Sequence, residues 1–199
     1  MVFTRETFEA EGFAQPYAWL DLVNSEHYDG FGHLTEHLDD VTWVEVFGHH
    51  WDLDVEITNS SIVQRLRRLR TFFRRAAETI AGGKNLSKSD LGSINRSLRV
   101  SMYRRVRIRR NGSYVRELVP ARRDWKWQKA ELLESLATVL SEGLEQRLKT
   151  CANRGCRWVF LDQSPGNTRK WCDDLTCGNR DKVRRFRARL REGDGGRKR

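Results

Sequence analysis

An α+β fold over residues 1–145, followed by a small second module, is what the 199-residue sequence predicts. Three observations predict it. Helix-like and strand-like apolar spacings both occur in the first part. Hydrophobic residues at 38% and seven tryptophans suffice for a packed core there. All four cysteines fall in the last quarter, where the charge balance also shifts.

The elements follow in order. YAWLDLV (Tyr17–Val23) reads as a strand, and a polar, glycine-containing loop follows to about His33. In DDVTWVEVFGHHW, Val41, Val44 and either Val46 or Phe47 recur at helical spacing, so a helix is expected despite the β-branched content. Thr58, Asn59 and Ser60 offer caps for a clearer helix. Its stripe is Ile62, Val63, Leu66, Leu69, Phe73, Ala76 and Ile80, and Gly82 and Gly83 end it. Arg65, Arg67, Arg68, Arg74 and Arg75 mostly cover the opposite face. LSKSDLGSINRSLRVS predicts a shorter helix capped near Ser87, with Leu91, Ile94 and Leu98 inward. In YRRVRIRRNGSYVRELV, Val106 and Ile108 alternate with arginines and Asn111-Gly112 is a tight-turn signal, so a hairpin is expected. A long helix from about Trp125 to Glu142 carries Trp127, Ala130, Leu133, Ala137 and Leu140 on one side, and Gly143 interrupts it. The second module is placed at residues 146–192, and 193–199 (GDGGRKR at the end) is expected to be a disordered basic tail.

Charge is unevenly distributed. Residues 1–60 hold one Arg against 13 acids, residues 61–145 hold 20 Lys and Arg against 8, and residues 146–199 hold 16 against 6. The first two sets cancel, so the acidic and basic stretches are expected to fold onto each other. The C-terminal excess has no internal counterpart and points to an external polyanion. MVFTRETFEAEGF is too charged for a signal peptide. No segment nears the ~18 apolar residues that a membrane span needs. A cytoplasmic protein is expected, nucleoid-associated when bound to DNA, with no membrane partner.

Cys151, Cys156, Cys172 and Cys177 form C-x4-C, 15 residues, C-x4-C. Two short loops with a thiol pair each can set four soft donors at the corners of a tetrahedron, which suits Zn²⁺. Two disulfides would need an oxidising compartment, and free structural thiols would not need paired spacing. A module of this size with few large apolar groups is marginal without a staple. Structural zinc supplies on the order of 10 kcal/mol or more of folding free energy. Four thiolates leave no open coordination position, so one structural zinc ion per chain is expected.

CANRGCRWVFLDQSPGNTRKWCDDLTCGNRDKVRRFRAR resembles the CGNR zinc finger, whose name-giving tetrad here is Cys177-Gly178-Asn179-Arg180. Both C-x4-C pairs, Phe160–Asp162 (FLD), Trp171-Cys172 and the basic run take part in the match. The preceding part resembles the ABATE domain: LDLVNS at Leu20–Ser25 is close to its opening motif, with Ser25 where Thr is usual, and SINRSL fits as well. The resemblance implies a bacterial, stress-induced transcription regulator and therefore DNA binding.

The run from Asn179 to about Arg191 is expected to be a helix. Val183, Phe186 and Leu190 form its apolar stripe, which Asn179 continues, and this face should pack on the zinc-binding loops. Gly178 lets the backbone turn tightly beside the metal and Asn179 begins the helix. Arg180 and Arg187 flank the stripe and are expected to be partly structural, with Arg180 pairing with Asp162 or the thiolates. Lys182, Arg184, Arg185 and Arg189 lie opposite and are the candidate DNA contacts, with Arg169 and Lys170 as phosphate clamps. Duplex DNA is preferred because no platform of exposed aromatics marks a single-strand reader.

His33–His37 (HLTEH) matches a zinc-peptidase pattern, but no third-ligand motif follows. A second, sensory metal site would draw on His33, His37, His49 or His50. Phe72, Phe73, Trp125 and Trp127 read as core rather than as a ligand box. No enzyme is expected, since no nucleophile or acid/base constellation stands out. The sequence thus predicts a zinc-dependent, DNA-binding transcriptional regulator; the alternative is an RNA-binding or protein-interaction module using the same finger. A small-molecule effector in the N-terminal domain and a homodimer are the further partners considered.

Overall fold

The computed structural model describes residues 15–29, 31–53 and 60–195. The N-terminal stretch read above for a signal, the caps Thr58 and Asn59, and the last four residues of the expected tail lie outside the described residues.

Six helices and three separate antiparallel strand pairs make up the described fold. The first helix, α1 (Ala18–Asn24), replaces the strand expected at Tyr17–Val23. All seven of its residues are buried. A segment enclosed on every side needs no polar face, so its apolar run carries neither the helical nor the strand period. The expected loop after it contains a hairpin, β1 (Glu26–Tyr28) with β2 (Leu34–Glu36).

α2 (Val41–His50) forms as expected, with the Asp40 carboxylate accepting the Thr42 N–H at 2.9 Å. The long α3 (Ser60–Ala81) buries Ile62, Leu66, Leu69, Phe73, Ala76 and Ile80, and Gly83 ends it at φ +72°, a conformation that favours glycine. α4 (Lys88–Ser97) begins in a capping box between Ser87 and Asp90. Ile94 is buried and Leu98 half-buried, but Leu91, expected inward, is exposed because α4 offers only a narrow face to the core.

The predicted hairpin is β3 (Met102–Ile108) with β4 (Tyr114–Pro120), closed at Asn111-Gly112. α5 (Trp125–Ser141) is capped by Asp124 and buries Leu132, Leu136 and Val139 besides the expected Trp127, Ala130 and Leu133. Its buried face is thus wider than the single predicted stripe, and Ala137 and Leu140 sit at its edge.

β5 (Leu148–Thr150) and β6 (Val159–Leu161) form the third pair. Leu148, Val159 and Leu161 enter the same core as Trp19, Leu20, Phe47, Phe73 and Leu136. Asn24 fastens this hairpin to α1: its Nδ2 donates to the Val159 carbonyl at 2.8 Å and its Oδ1 accepts the Val159 N–H at 2.9 Å. A buried side-chain amide thereby does what a neighbouring strand would do for β6.

Opposite charges from the two halves of the N-terminal part do meet. Arg70, buried in α3, holds Glu36 through two 2.6 Å bonds and also reaches the Ser25 hydroxyl at 3.0 Å. Arg67 pairs with Asp39 and Arg123 with Asp52. Arg74 does not simply cover the outer face of α3, since it donates to the carbonyls of Val23 and Glu26 at 2.8 and 3.0 Å.

α6 (Asn179–Gly195) closes the described chain. No described helix is long and apolar enough to cross a membrane.

Candidate metal centre and nucleic-acid interface

The β5–β6 hairpin presents the first cysteine pair. Cys151 directly follows β5 and its N–H donates to the Trp158 carbonyl at 2.8 Å. The loop then turns back, with Cys156 N–H on the Asn153 carbonyl at 2.9 Å and Gly155 N–H on the Asn153 side chain at 3.1 Å. The second pair arrives from the other side. Ala152 N–H donates to the Lys170 carbonyl at 2.8 Å, holding the segment that leads to Cys172. Cys177 lies in a single wide turn, Asp174–Gly178, capped by Asp173, which accepts the Thr176 N–H at 2.8 Å.

The four Sγ atoms lie within 4.8 Å of one another, and Cys156 and Cys172 are 3.6 Å apart. Zinc–sulfur bonds of ~2.3 Å set tetrahedral sulfurs ~3.8 Å apart, so the cluster has the dimensions of a zinc tetrahedron. Cys151, Cys156 and Cys177 are buried, and Trp158 and Trp171 pack against the cluster. The Asn153 amide donates to Cys177 Sγ at 3.6 Å. Hydrogen bonds from Cys156 and Cys172 hold the Cys151 thiol far below its ordinary range, and the same contacts push Cys156 and Cys172 up. Thiols this close resist ionising together, and a dication removes that resistance. The chemistry is that of one structural zinc ion with all four positions filled by protein.

Asp162 anchors the loop behind the metal. It is fully buried and accepts from Lys149 Nζ at 2.6 Å, from the Ser164 hydroxyl at 2.6 Å, and from the N–H groups of Ser164 and Arg169 at 2.9 and 2.8 Å. Burial pushes its carboxyl up, but these donors outweigh burial and hold it below the usual range. The expected Arg180–Asp162 pair is therefore absent: Asp162 is already satisfied by residues nearer in the chain. Arg180 instead donates to the Asp29 carbonyl and lies 4.1 Å over the Phe31 ring, tying the start of α6 to the β1–β2 turn.

Gly178 takes no left-handed backbone angle and sits instead at a close approach. A Cβ there would stand 3.3 Å from the Asp174 carboxylate and 3.5 Å from the Trp171 ring. Asn179 begins α6 as expected, although its side chain is exposed. The apolar stripe of α6 does not pack on the zinc loops. Val183, Phe186 and Leu190 are 41%, 55% and 57% exposed, because α6 leaves the metal knuckle and rests chiefly on the Asp174–Gly178 turn. Arg187, expected to be partly structural, is exposed for the same reason.

The candidate DNA contacts sit as follows. Lys182, Arg184, Arg185 and Arg189 are all exposed on α6. Arg184 and Arg185 both reach back to Asp181, Arg185 at 2.9 Å. Lys170 is exposed beside the metal loops. Arg169 is half-buried, donates to the Cys172 carbonyl and lies 4.9 Å over Phe160, so its guanidinium braces the loop.

The histidines are not gathered. His33 is exposed and bonded to Asp29 at 2.8 Å. His37 stacks between His27 and Trp43 at 5.2 and 5.5 Å, and burial lowers its pKa to about 4. His49 and His50 lie on the last turn of α2. Among the described residues, the four cysteines are the one group of three or more potential ligands close enough to share an ion. The expected aromatic stripe divides: Phe73 and Trp127 are core, while Phe72 and Trp125 border a cavity of about 290 Å³ together with Arg65, Arg68, Ser97 and Lys129.

Two family models match the chain in order. Residues 17–145 match the ABATE model, described as "Putative stress-induced transcription regulator", and residues 147–190 match the CGNR zinc finger. No curated protein matches the chain. The first match alone spans well over half the sequence, and the second covers all four clustered cysteines, so the chain belongs to the ABATE family of regulators and carries a CGNR zinc finger.

Proposed function

We propose that this regulator binds duplex DNA through α6, with Lys182, Arg184, Arg185 and Arg189 as the contacts and Lys170 on a neighbouring phosphate. One observation carries the reading: an arginine-rich helix projects from a zinc-stapled base with its cations in solvent. Asp181 is half-buried, but the Arg184 and Arg185 ends of its ion pairs are exposed, so phosphates can compete for these guanidiniums. Arg forks suit both phosphate and guanine edges. Arg169 supports the loop that carries Lys170. The site of action is the cytoplasm, at the nucleoid, and two copies would be needed to read an operator of ordinary length.

The effector site in this reading is the cavity between α3, α4 and α5. Leu69, Phe72, Trp125 and Leu133 give it an apolar wall, and Arg65, Arg68 and Lys129 supply three cations without a lining acid. This chemistry suits a small ligand with an apolar body and one carboxylate.

The test is a footprint and mobility shift on the promoter region of the protein's own gene. Arg→Ala at 184, 185 and 189 together abolishes the shift while zinc content stays at one per chain, and a chelator removes the footprint. Unchanged affinity in the folded, zinc-loaded triple variant sinks the proposal. Preference for RNA over the duplex would move the same finger to the other class.

A further inference from the structure

The β3–β4 hairpin is not consumed by the fold. Residues 102–120 hold six arginines and one acid, Glu117. Glu117 is taken by Arg105 at 2.6 Å and Arg107 at 2.8 Å. Arg104, Arg109, Arg110 and Arg116 are exposed and have no acidic partner among the described residues. The strands pair with each other over seven registered residues, roughly 23 Å of ribbon, and the body touches little else of them.

Residues directly opposite share a face. One face therefore carries Arg104 beside Leu118, Val106 beside Arg116, and Ile108 beside Tyr114. Val106, Ile108, Tyr114 and Leu118 are 66%, 60%, 76% and 58% exposed. Such a face is unsuited to permanent solvation. It is equally unsuited to a dry, apolar partner face, which would desolvate Arg104 and Arg116 without supplying acids. Nucleic acid offers the matching mixture: phosphates for the arginines, and sugar edges and thymine methyls for the apolar side chains.

We propose that the β3–β4 ribbon is a second DNA contact, laid in the major groove with the face of Val106, Ile108, Tyr114 and Leu118 toward the bases, Arg104 and Arg116 reaching from that face to base edges and flanking phosphates, and Arg109 and Arg110 on phosphates at the turn. A two-stranded ribbon fits the major groove. The inference rests on the reading of the chain as a duplex-binding regulator, and adds to α6 an arm on the N-terminal domain. It also gives that domain a direct share in affinity.

The experiment measures fluorescence anisotropy of a labelled 30-base-pair duplex of random sequence with the full-length, zinc-loaded protein, from 50 to 200 mM KCl. Changing Arg104, Arg109, Arg110 and Arg116 together to Ser weakens binding at least tenfold. It also flattens the slope of log affinity against log salt by about 0.9 for each phosphate that is no longer neutralised. Val106→Ser with Ile108→Ser weakens binding severalfold and leaves the slope unchanged, since no charge is removed. All these side chains are exposed, so zinc content and circular dichroism should match the parent. Parental affinity and slope in the four-serine variant overturn the ribbon contact while leaving α6 standing. Weaker binding by the ribbon variant with none by the α6 triple variant overturns the α6 reading and keeps the ribbon. A ribbon variant that keeps DNA affinity but changes mass in sedimentation identifies a self-association arm and also overturns the proposal.

Discussion

Asn24→Ala tests how firmly the finger is built into the body. The Asn24 amide makes two buried bonds to Val159, at 2.8 and 2.9 Å. Truncation leaves both the buried N–H and the buried C=O of Val159 without a partner, at ~1–3 kcal/mol per group. Water cannot readily refill the site, since Asn24 and Val159 are 3% and 0% exposed. The expected loss is about 3 kcal/mol, read from urea unfolding of the zinc-loaded protein. Hydrogen exchange at the Val159 amide should accelerate by about a hundredfold, the same energy at ~1.4 kcal/mol per tenfold. Because β6 follows Cys156 closely, zinc affinity should fall in the same variant. A loss under ~1 kcal/mol, or unchanged protection of Val159, would refute the view that this side chain substitutes for a strand.

Two further outcomes are expected. Asp21 is buried against Trp51, whose indole N–H donates to it at 3.0 Å, and burial pushes its carboxyl up to about 8 from the ordinary 3.8. The folded chain therefore favours the protonated form, and this contribution to stability is lost as pH rises from 3.8 through 8. Asp21→Asn keeps an acceptor for Trp51 and removes the titration, so its urea midpoint relative to the parent should climb between pH 5 and 8; a constant difference would exclude the buried acid. In the cavity beside Trp125, 1-naphthoate should raise the melting temperature and the uncharged 1-naphthamide should bind at least tenfold more weakly. Arg68→Ala with Lys129→Ala should erase that preference. Equal binding of acid and amide, or of neither, would remove the cavity as an anion site.

How much of this was legible in the sequence depended on whether the deciding signal was local. The zinc site was, because chain spacing alone brings each thiol pair together. The β3–β4 hairpin was, because Asn111-Gly112 fixes its turn. α1 was not, since burial on all sides erased the period that would have named it. Arg70 could have been found: it stands four residues after Leu66 and three before Phe73, on the apolar stripe of α3. The arginines crowded around it hid that placement. The Asn24–Val159 link spans 135 residues and left no local mark. For α6, spacing correctly named an apolar face but could not say whether anything would lie against it.

That uncovered helix has a thermodynamic consequence. From Arg180 through Arg191 the chain has seven cations and one acid, Asp181. An isolated helix of about this length is marginal in water, and here like charges repel along it and cations crowd the positive end of its dipole. The zinc knuckle supplies a nucleus for the first turn but no wall for the rest. In the proposed complex, phosphates would remove the repulsion, so ordering of the distal turns and association would become one linked equilibrium. Under that proposal the helix would give up some affinity to its own ordering, and would couple release from the duplex to a loss of shape.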